Sequence, residues 1–501
     1  MSLRTVLLLL AVAGGALPGA ASAQDSAEAS PRAFNFIVRN PPRTTLAFVI
    51  PECLTRRCRR DGKGGTMFWS HRNGRVVAGL ASAIPKAPRS EPGRKKLEAI
   101  DRVWAGHDVP FALVVTADRI YVGYYDAARQ LSVASRPRGS SWWTYTKLPS
   151  WVGWDSHNRI AMAVDAAGQL HVAANMHNDP LVYFRTTAGD VRTLARVPVM
   201  ADAAAERSMT YPMFLKDAGG RLIFSYRDGG SGRGREIYNV LDGGGWKRLL
   251  DAPLADGEGK SSAYFVGPVP GPDGWFHLSW VWRDTPDAAT NHDLSYARSR
   301  DLVRWERSDG TALPLPIRLG DAEVVDPVPV REGMINNNTV PGFDAAGRVV
   351  IAFHKFDAAG NTQMFVARRE AKAWRVVQAS DWKGFRWEFG GMGSLDFRLR
   401  VGTPVTEGKA LRIPVVRDGK PTDLLLDGET LARIGERPGV MLADRLAARI
   451  AVPTGMQLNT VEDASGFAIA WFACDSGLLL SQEHKVSTSS APPTCRRSRR
   501  W

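Results

Sequence analysis

Long apolar runs are missing from this sequence, and so is any extended Ala/Leu/Glu/Lys periodicity. Beyond the N-terminal leader no stretch reaches the roughly 20 uninterrupted apolar residues of a membrane-spanning helix, which excludes a helical membrane protein. The absence of helical periodicity excludes a helix bundle. Cysteine is scarce: four residues, Cys53, Cys58, Cys474 and Cys495, all toward the chain ends. Cys53 and Cys58 resemble half a zinc site but have only remote cysteine partners, so disulfides are expected, with three pairings open.

What is present begins with an export signal. Arg4 supplies a positive start, Val6 to Val12 an apolar core, and Ala21-Ser22-Ala23 a small-x-small cleavage site. Residues 1–23 therefore read as a removed leader, and 24–501 as a single secreted or periplasmic domain in which disulfides are permitted. The formal charge of +14 falls to +13 when Arg4 departs. A basic exported protein suits an anionic polysaccharide or oligosaccharide, and export argues against nucleic acid. The arginines at 496–500 read as the end of a solvated basic tail spanning about residues 486–501.

Glycine, proline and tryptophan are abundant, at 48, 31 and 16 residues, and they punctuate a repeat. A turn rich in Asp and Gly precedes a strand of apolar alternation at Asp165-Ala-Ala-Gly168, Asp217-Ala-Gly-Gly220, Gly271-Pro-Asp-Gly274 and Asp344-Ala-Ala-Gly347. Weaker copies stand at Asp118, Gly408 and Gly466, so that seven copies are spaced by 50 to 73 residues. Asp and Gly tolerate the positive φ of tight hairpin loops. A second short strand and a tryptophan (Trp142, Trp246, Trp305, Trp374) follow most copies. Two hairpins per period make a four-stranded blade, so an all-β, seven-bladed β-propeller is expected.

Polar residues recur at one station of these hairpins. Two positions are expected to face each other when their mean falls at the turn centre. His157 with His177, Tyr211 with Arg227, Tyr264 with Arg283, and Asn337 with His354 all satisfy that rule. Asn158, Asn175, Asn178 and Asp179 crowd the two histidines, and Arg227 opens the low-bulk loop Asp228-Gly-Gly-Ser-Gly232. Lone strand histidines such as His171, His277 and His292 read as structural groups. The Asn- and Asp-rich loops are candidate holders of structural calcium, without a specific spacing. No cofactor is required by the residues at these stations.

Histidine, tyrosine and arginine without a carboxylate pair do not suit a glycosidase, which generally needs two Asp/Glu groups. They do suit elimination from a uronate. Arginine grips the carboxylate and stabilises the enolate-like charge, while histidine and tyrosine move protons.

The stretches Trp154-Asp-Ser-His-Asn158, Asn175-Met-His-Asn-Asp-Pro180, Met209-Thr-Tyr-Pro-Met-Phe214, Phe224-Ser-Tyr-Arg-Asp-Gly-Gly230, Trp280-Val-Trp-Arg-Asp284 and Phe353-His-Lys-Phe-Asp357 resemble the neuraminidase-type-repeat (BNR-repeat) polysaccharide lyases. That group includes ulvan lyases and L-rhamnose-α-1,4-D-glucuronate lyases, which are seven-bladed propellers. The resemblance runs over about residues 150–390 and fades toward both ends. It implies β-elimination at a glucuronate C4–O bond bearing L-rhamnose, leaving a 4,5-unsaturated uronate. The family's histidine pair falls on His157 and His177, and its tyrosine and arginine fall on Tyr211 and Arg227. Arg227 then neutralises the carboxylate; Tyr211 and one of the two histidines transfer protons, or Tyr211 serves as both base and acid. Asn158, Tyr264, Arg283 and His354 are the expected substrate-binding residues. A non-catalytic carbohydrate-binding propeller, or a sialidase-like hydrolase with three arginines and a tyrosine backed by an acidic helper, is the competing expectation.

Overall fold

The computed structural model describes residues 100–447 except positions 107, 154, 188 and 394, then position 452 and residues 456–474. Before these it describes the strands Ala33–Asn40, Thr44–Pro51, Trp69–Ser70, Arg75–Val76 and Leu97–Glu98. The export leader, Cys53, Cys58, Cys495 and the basic tail lie outside the described residues. No helix among the described residues is long and apolar enough to cross a membrane, a statement that does not extend to β-barrels.

The fold is all-β. Among the described residues the strands form seven sheets of four or more strands and one two-stranded ribbon, and the α-helix Leu442–Ala447 is a single short turn of chain. The chain divides into two compact units, one of residues 1–156 with 442–501 and one of residues 157–441. In the first unit, Thr44–Pro51 pairs in parallel with Ala468–Cys474, so strands from both ends of the chain share a sheet. The same unit holds the four-stranded meander Ala112–Val115, Arg119–Tyr125, Gln130–Pro137 and Thr144–Trp151.

The unit of residues 157–441 holds five successive sheets, mostly antiparallel meanders in chain order. Their inner strands are buried along their whole length, as in Leu170–Ala174, Leu222–Asp228 and Phe276–Arg283. A strand covered on both faces reads as a continuous apolar run and not as an alternation. Each apolar cluster joins two neighbouring sheets. Tyr183 meets Phe224 and Tyr226; Ile223 and Val240 meet Leu278 and Trp280; Tyr264 and Val281 meet Ile351 and Phe353; Val350 and Val366 meet Ile413 and Leu424. Burying these faces against one another is what stabilises a repeat unit too thin to enclose a core alone.

The repeated turn works as the composition predicts. The Asp165, Asp217, Asp344 and Asp463 carboxylates each accept the backbone N–H four residues on, at 2.8 to 2.9 Å. Gly168, Gly220, Gly274 and Gly347 then take φ of +75° to +80°, where a side chain would be strained. Two histidines expected to be structural are built into this device. His171 lies between Tyr183 Oη at 2.6 Å and Asp165 at 3.1 Å, and His277 between Tyr296 Oη at 2.7 Å and Asp273 at 3.1 Å.

Candidate active site

Five successive segments of the 157–441 unit bring one group of side chains together. His157 and Arg159 precede the strand Ile160–Val164; His177 opens His177–Asp179; Tyr211 lies in Met209–Lys216; Arg227 lies near the end of Leu222–Asp228; Tyr264 lies in Ser262–Pro270. The imidazoles of His157 and His177 stack at 4.2 Å between centroids, and Tyr211 meets them at 6.0 and 6.5 Å. The Tyr211 and Tyr264 rings meet at 6.3 Å, and the Arg227 guanidinium lies over both, 5.1 and 5.5 Å from their centroids.

The facing rule used for these pairs is corrected by the register. Arg227 lies opposite Thr210, because the strand bulges between Thr210 and Met213 and Tyr211 takes φ +58°. A bulge re-aims a side chain, and here it turns the phenol toward the histidines. Tyr264 faces Val281 and Arg283 faces Ser262, displaced from each other by the twist of the hairpin and a second irregularity between Val266 and Val269. The His157–His177 hairpin pairing stops at Ile160 and Ala174, after which His177 leaves its own sheet and pairs with Thr210 of the next. The stacking of the imidazoles thus comes from a strand that changes sheets, not from hairpin pairing.

The other expected binding residues separate into two groups. Arg283 stays with the cluster: its guanidinium lies 5.5 Å from the Tyr264 centroid while Nε donates to Thr285 O at 3.1 Å and Nη2 to Pro286 O. Asn158 is buried between His157 and Arg159 in the chain. His354 belongs to the core. It is 1% exposed, takes a hydrogen bond from Asn338 (not Asn337) at 3.1 Å, and packs on Trp387 at 5.4 Å. Asn338 also donates to Leu399 O and accepts from Val401 N, so His354 sits in a buried link between two sheets where a sugar has no access.

Three contributors were not anticipated. Thr210 Oγ1 accepts from Arg227 Nη2 at 3.2 Å, and Ser231 Oγ is 2.6 Å from Tyr264 Oη. Arg159 lies over the Tyr211 ring at 5.4 Å. Thr210 and Ser231 are neighbours of motif residues, but Arg159 follows Asn158 with no periodic signal of its own.

The electrostatics centre on Tyr211. Burial holds its phenol above the ordinary value, opposed by the guanidiniums of Arg227, Arg159 and Arg283. Glu236, which lies opposite Arg227 on the neighbouring strand, has its carboxyl pushed up to about 8 by desolvation against the pull of Arg227. Burial thus favours its neutral form, which offers Arg227 little compensating charge. The loop groups expected to hold calcium are engaged by the protein. Asp179 accepts from His177 N, Asp228 pairs with Arg235, and Asn178 accepts from Ser208.

A buried guanidinium between two phenols, beside stacked imidazoles, can hold an anion and move protons next to it. Comparison with known proteins agrees with the repeat reading. The fold resembles the crystal structure of the polysaccharide lyase Uly1, with a TM-score of 0.50 and 16% identity over 70% of this chain and 85% of that one. It resembles a PL25 ulvan lyase equally, with a TM-score of 0.50 and 14% identity over 71% and 87%. Among curated proteins nothing matches. Residues 119–382 match the family described as "BNR repeat-containing family member". Because that match spans more than half of the sequence, the chain belongs to the BNR repeat-containing family.

Proposed function

We propose that this protein is a polysaccharide lyase that cleaves the bond between L-rhamnose and C4 of a glucuronate by β-elimination, leaving a 4,5-unsaturated uronate. The observation that carries the reading is Arg227. Three of its five donors are held by Gly229 O, Tyr264 Oη and Thr210 Oγ1 at 3.1 to 3.2 Å. One N–H on each of Nη1 and Nη2 remains, the pair that a carboxylate takes side by side.

In this reading Arg227 holds the uronate carboxylate and stabilises the charge that spreads onto it as C5 loses its proton. The phenolate of Tyr211, its proton first passed to the adjacent imidazole pair, takes H5. Electrons from the C5–H bond form the C4–C5 double bond, the C4–O4 bond breaks, and the new Tyr211 phenol returns the proton to O4. In D-glucuronate H5 and O4 share a face, so one group suffices for both transfers. Asn158, Tyr264 and Arg283 position the sugar. The chemistry uses side chains alone and requires no cofactor. We further read the seven sheets as the blades of one seven-bladed propeller, exported to the periplasm or beyond, with disulfides among its terminal cysteines.

A hydrolase of sialidase type is the second reading, supported by Arg159, Arg227 and Arg283 all acting on Tyr211. Against it, Arg283 is tied to two backbone carbonyls, and burial favours the neutral form of Glu236, the acid opposite Arg227 on the neighbouring strand. The test is absorbance from the new double bond, followed over polymers containing rhamnose and glucuronate. A lyase produces that absorbance and fails on carboxyl-reduced polymer. Cleavage without absorbance, undiminished by carboxyl reduction, identifies a hydrolase.

A further inference from the structure

We propose that Arg159 is a positioning residue for Tyr211, its guanidinium poised over the phenol ring to set the charge state in which that phenol meets substrate. The inference rests on the role given to Tyr211 above.

Arg159 is placed for this by local structure. It is two residues past His157, where its backbone N–H donates to His157 O at 2.6 Å and the chain turns into the strand Ile160–Val164. Its Cζ comes 5.4 Å from the Tyr211 centroid, close to the 5.1 Å of Arg227. The two cations differ in what else they do. Arg227 is hydrogen-bonded to three neighbours. Arg159 Nε is buried and meets no acceptor among the described residues, and Tyr211 is the one charged-state partner it feels. Burial itself works against the guanidinium's charge. A buried cation is ordinarily paired with an anion, so this one is completed by a negative charge that forms nearby. The phenolate of Tyr211 is such a charge.

Among the described residues, the titratable and charged groups facing Tyr211 are few. His157 and Arg159 come from the segment before Ile160, and His177 from the strand that changes sheets. Arg227, Tyr264 and Arg283 come from the next two sheets. Each guanidinium favours the phenolate, whereas burial and Tyr264 oppose it. Arg283 is tied to backbone carbonyls and Arg227 is reserved for the substrate carboxylate, whose arrival cancels its effect on the phenol. Arg159 and, more weakly, Arg283 are the cations whose influence survives substrate binding, and Arg159 is the one of the two that lies over the phenol ring.

The experiment compares wild type with Arg159→Gln, Arg159→Lys and Tyr211→Phe by the pH profile of kcat and by ultraviolet difference titration of tyrosinate. Removing Arg159's charge should move the limb on which kcat rises as the phenol ionises, and the titrating component missing from Tyr211→Phe, upward by about one to two pH units. Lysine at 159 should restore both. If Arg159→Gln raises KM while both midpoints stay in place, Arg159 is a substrate contact and the inference is overturned. Should the glutamine variant not fold, Arg159→Met, uncharged and of similar length, decides: midpoints displaced upward support a charge effect, and unmoved midpoints refute it. A Tyr211→Phe enzyme with normal turnover would instead sink the proposed function, an outcome that involves Arg159 in no way.

Discussion

Arg227 and Tyr264 are joined by a hydrogen bond, Nη1 donating to the phenol oxygen at 3.1 Å, while the guanidinium also lies over the Tyr264 ring. Both side chains are buried, at 4% and 3% exposure, so the contact fixes the fork of Arg227 where water cannot compete. Tyr264→Phe keeps the ring and removes the hydroxyl that accepts from Arg227 and is hydrogen-bonded to Ser231. It should raise KM by roughly 3- to 30-fold, the worth of one or two hydrogen bonds, with kcat less affected. Arg227→Lys keeps charge but not the fork, and should lower kcat/KM by about 10²-fold or more. Steady-state kinetics on one uronate polymer checks both, and an unimpaired lysine variant would contradict the bidentate role.

The loop after Arg227 has small residues for a reason beyond ligand access. A Cβ on Gly234 would stand 2.5 Å from Arg227 Cδ and 2.6 Å from its Cγ, the stem of the side chain and not its movable end. Gly234→Ala should therefore displace the guanidinium, cutting kcat/KM by about 10-fold or more and costing about 1 to 3 kcal/mol of stability. Ala substitution at Gly219, where the nearest atom is Asp217 Oδ1 at 3.4 Å, should leave activity unchanged. Equal effects of the two substitutions on kinetics would remove the steric argument.

Tyr211→Phe tests proton transfer. The ring contacts with His157, His177 and Tyr264 persist, so packing changes little. Turnover should fall by roughly 10² to 10⁴ with the melting profile nearly intact. Because the imidazoles stack on each other, His157→Ala and His177→Ala should be non-additive, the double variant being little worse than the poorer single one. Additive losses would mean that the histidines act separately.

Much of this arrangement was legible in residue pattern. The turn Asp and Gly residues announced the hairpins, because a carboxylate that caps a turn and a glycine with positive φ are local requirements. The set His157, His177, Tyr211 and Arg227 was legible because four hairpins repeat one spacing. Its geometry was not. A bulge at Tyr211 and a strand that changes sheets at His177 depend on the neighbouring sheet, so extrapolating pairing from the turn shifted Arg227's partner by one residue. Arg159 was invisible for the same reason: it faces Tyr211 from another sheet. His354 failed in the opposite direction. Its spacing matched the others, but Asn338 and Trp387 close over it, and burial is a tertiary fact.

His354 yields the last prediction, on acid stability. Desolvation holds its imidazole down to about 4, against an ordinary value of 6.5. Above pH 6.5 both folded and unfolded chains carry it neutral. As pH falls from 6.5 to 4 the unfolded chain takes up a proton that the folded chain refuses, so stability drops through that window. The shift corresponds to roughly 3 kcal/mol once pH reaches 4. His354→Gln keeps an acceptor for Asn338 but cannot titrate. It should be less stable than wild type at pH 7, through lost contact with Trp387, and the gap should narrow by that amount toward pH 4. Other titrating groups, including His171 and His277 with their lowered values, cancel in the difference. Denaturant midpoints at several pH values supply the measurement, with KM at pH 7 as the control. A gap that stays constant with pH would mean that His354 is not held neutral in the core, and a large rise in KM would return it to the substrate site.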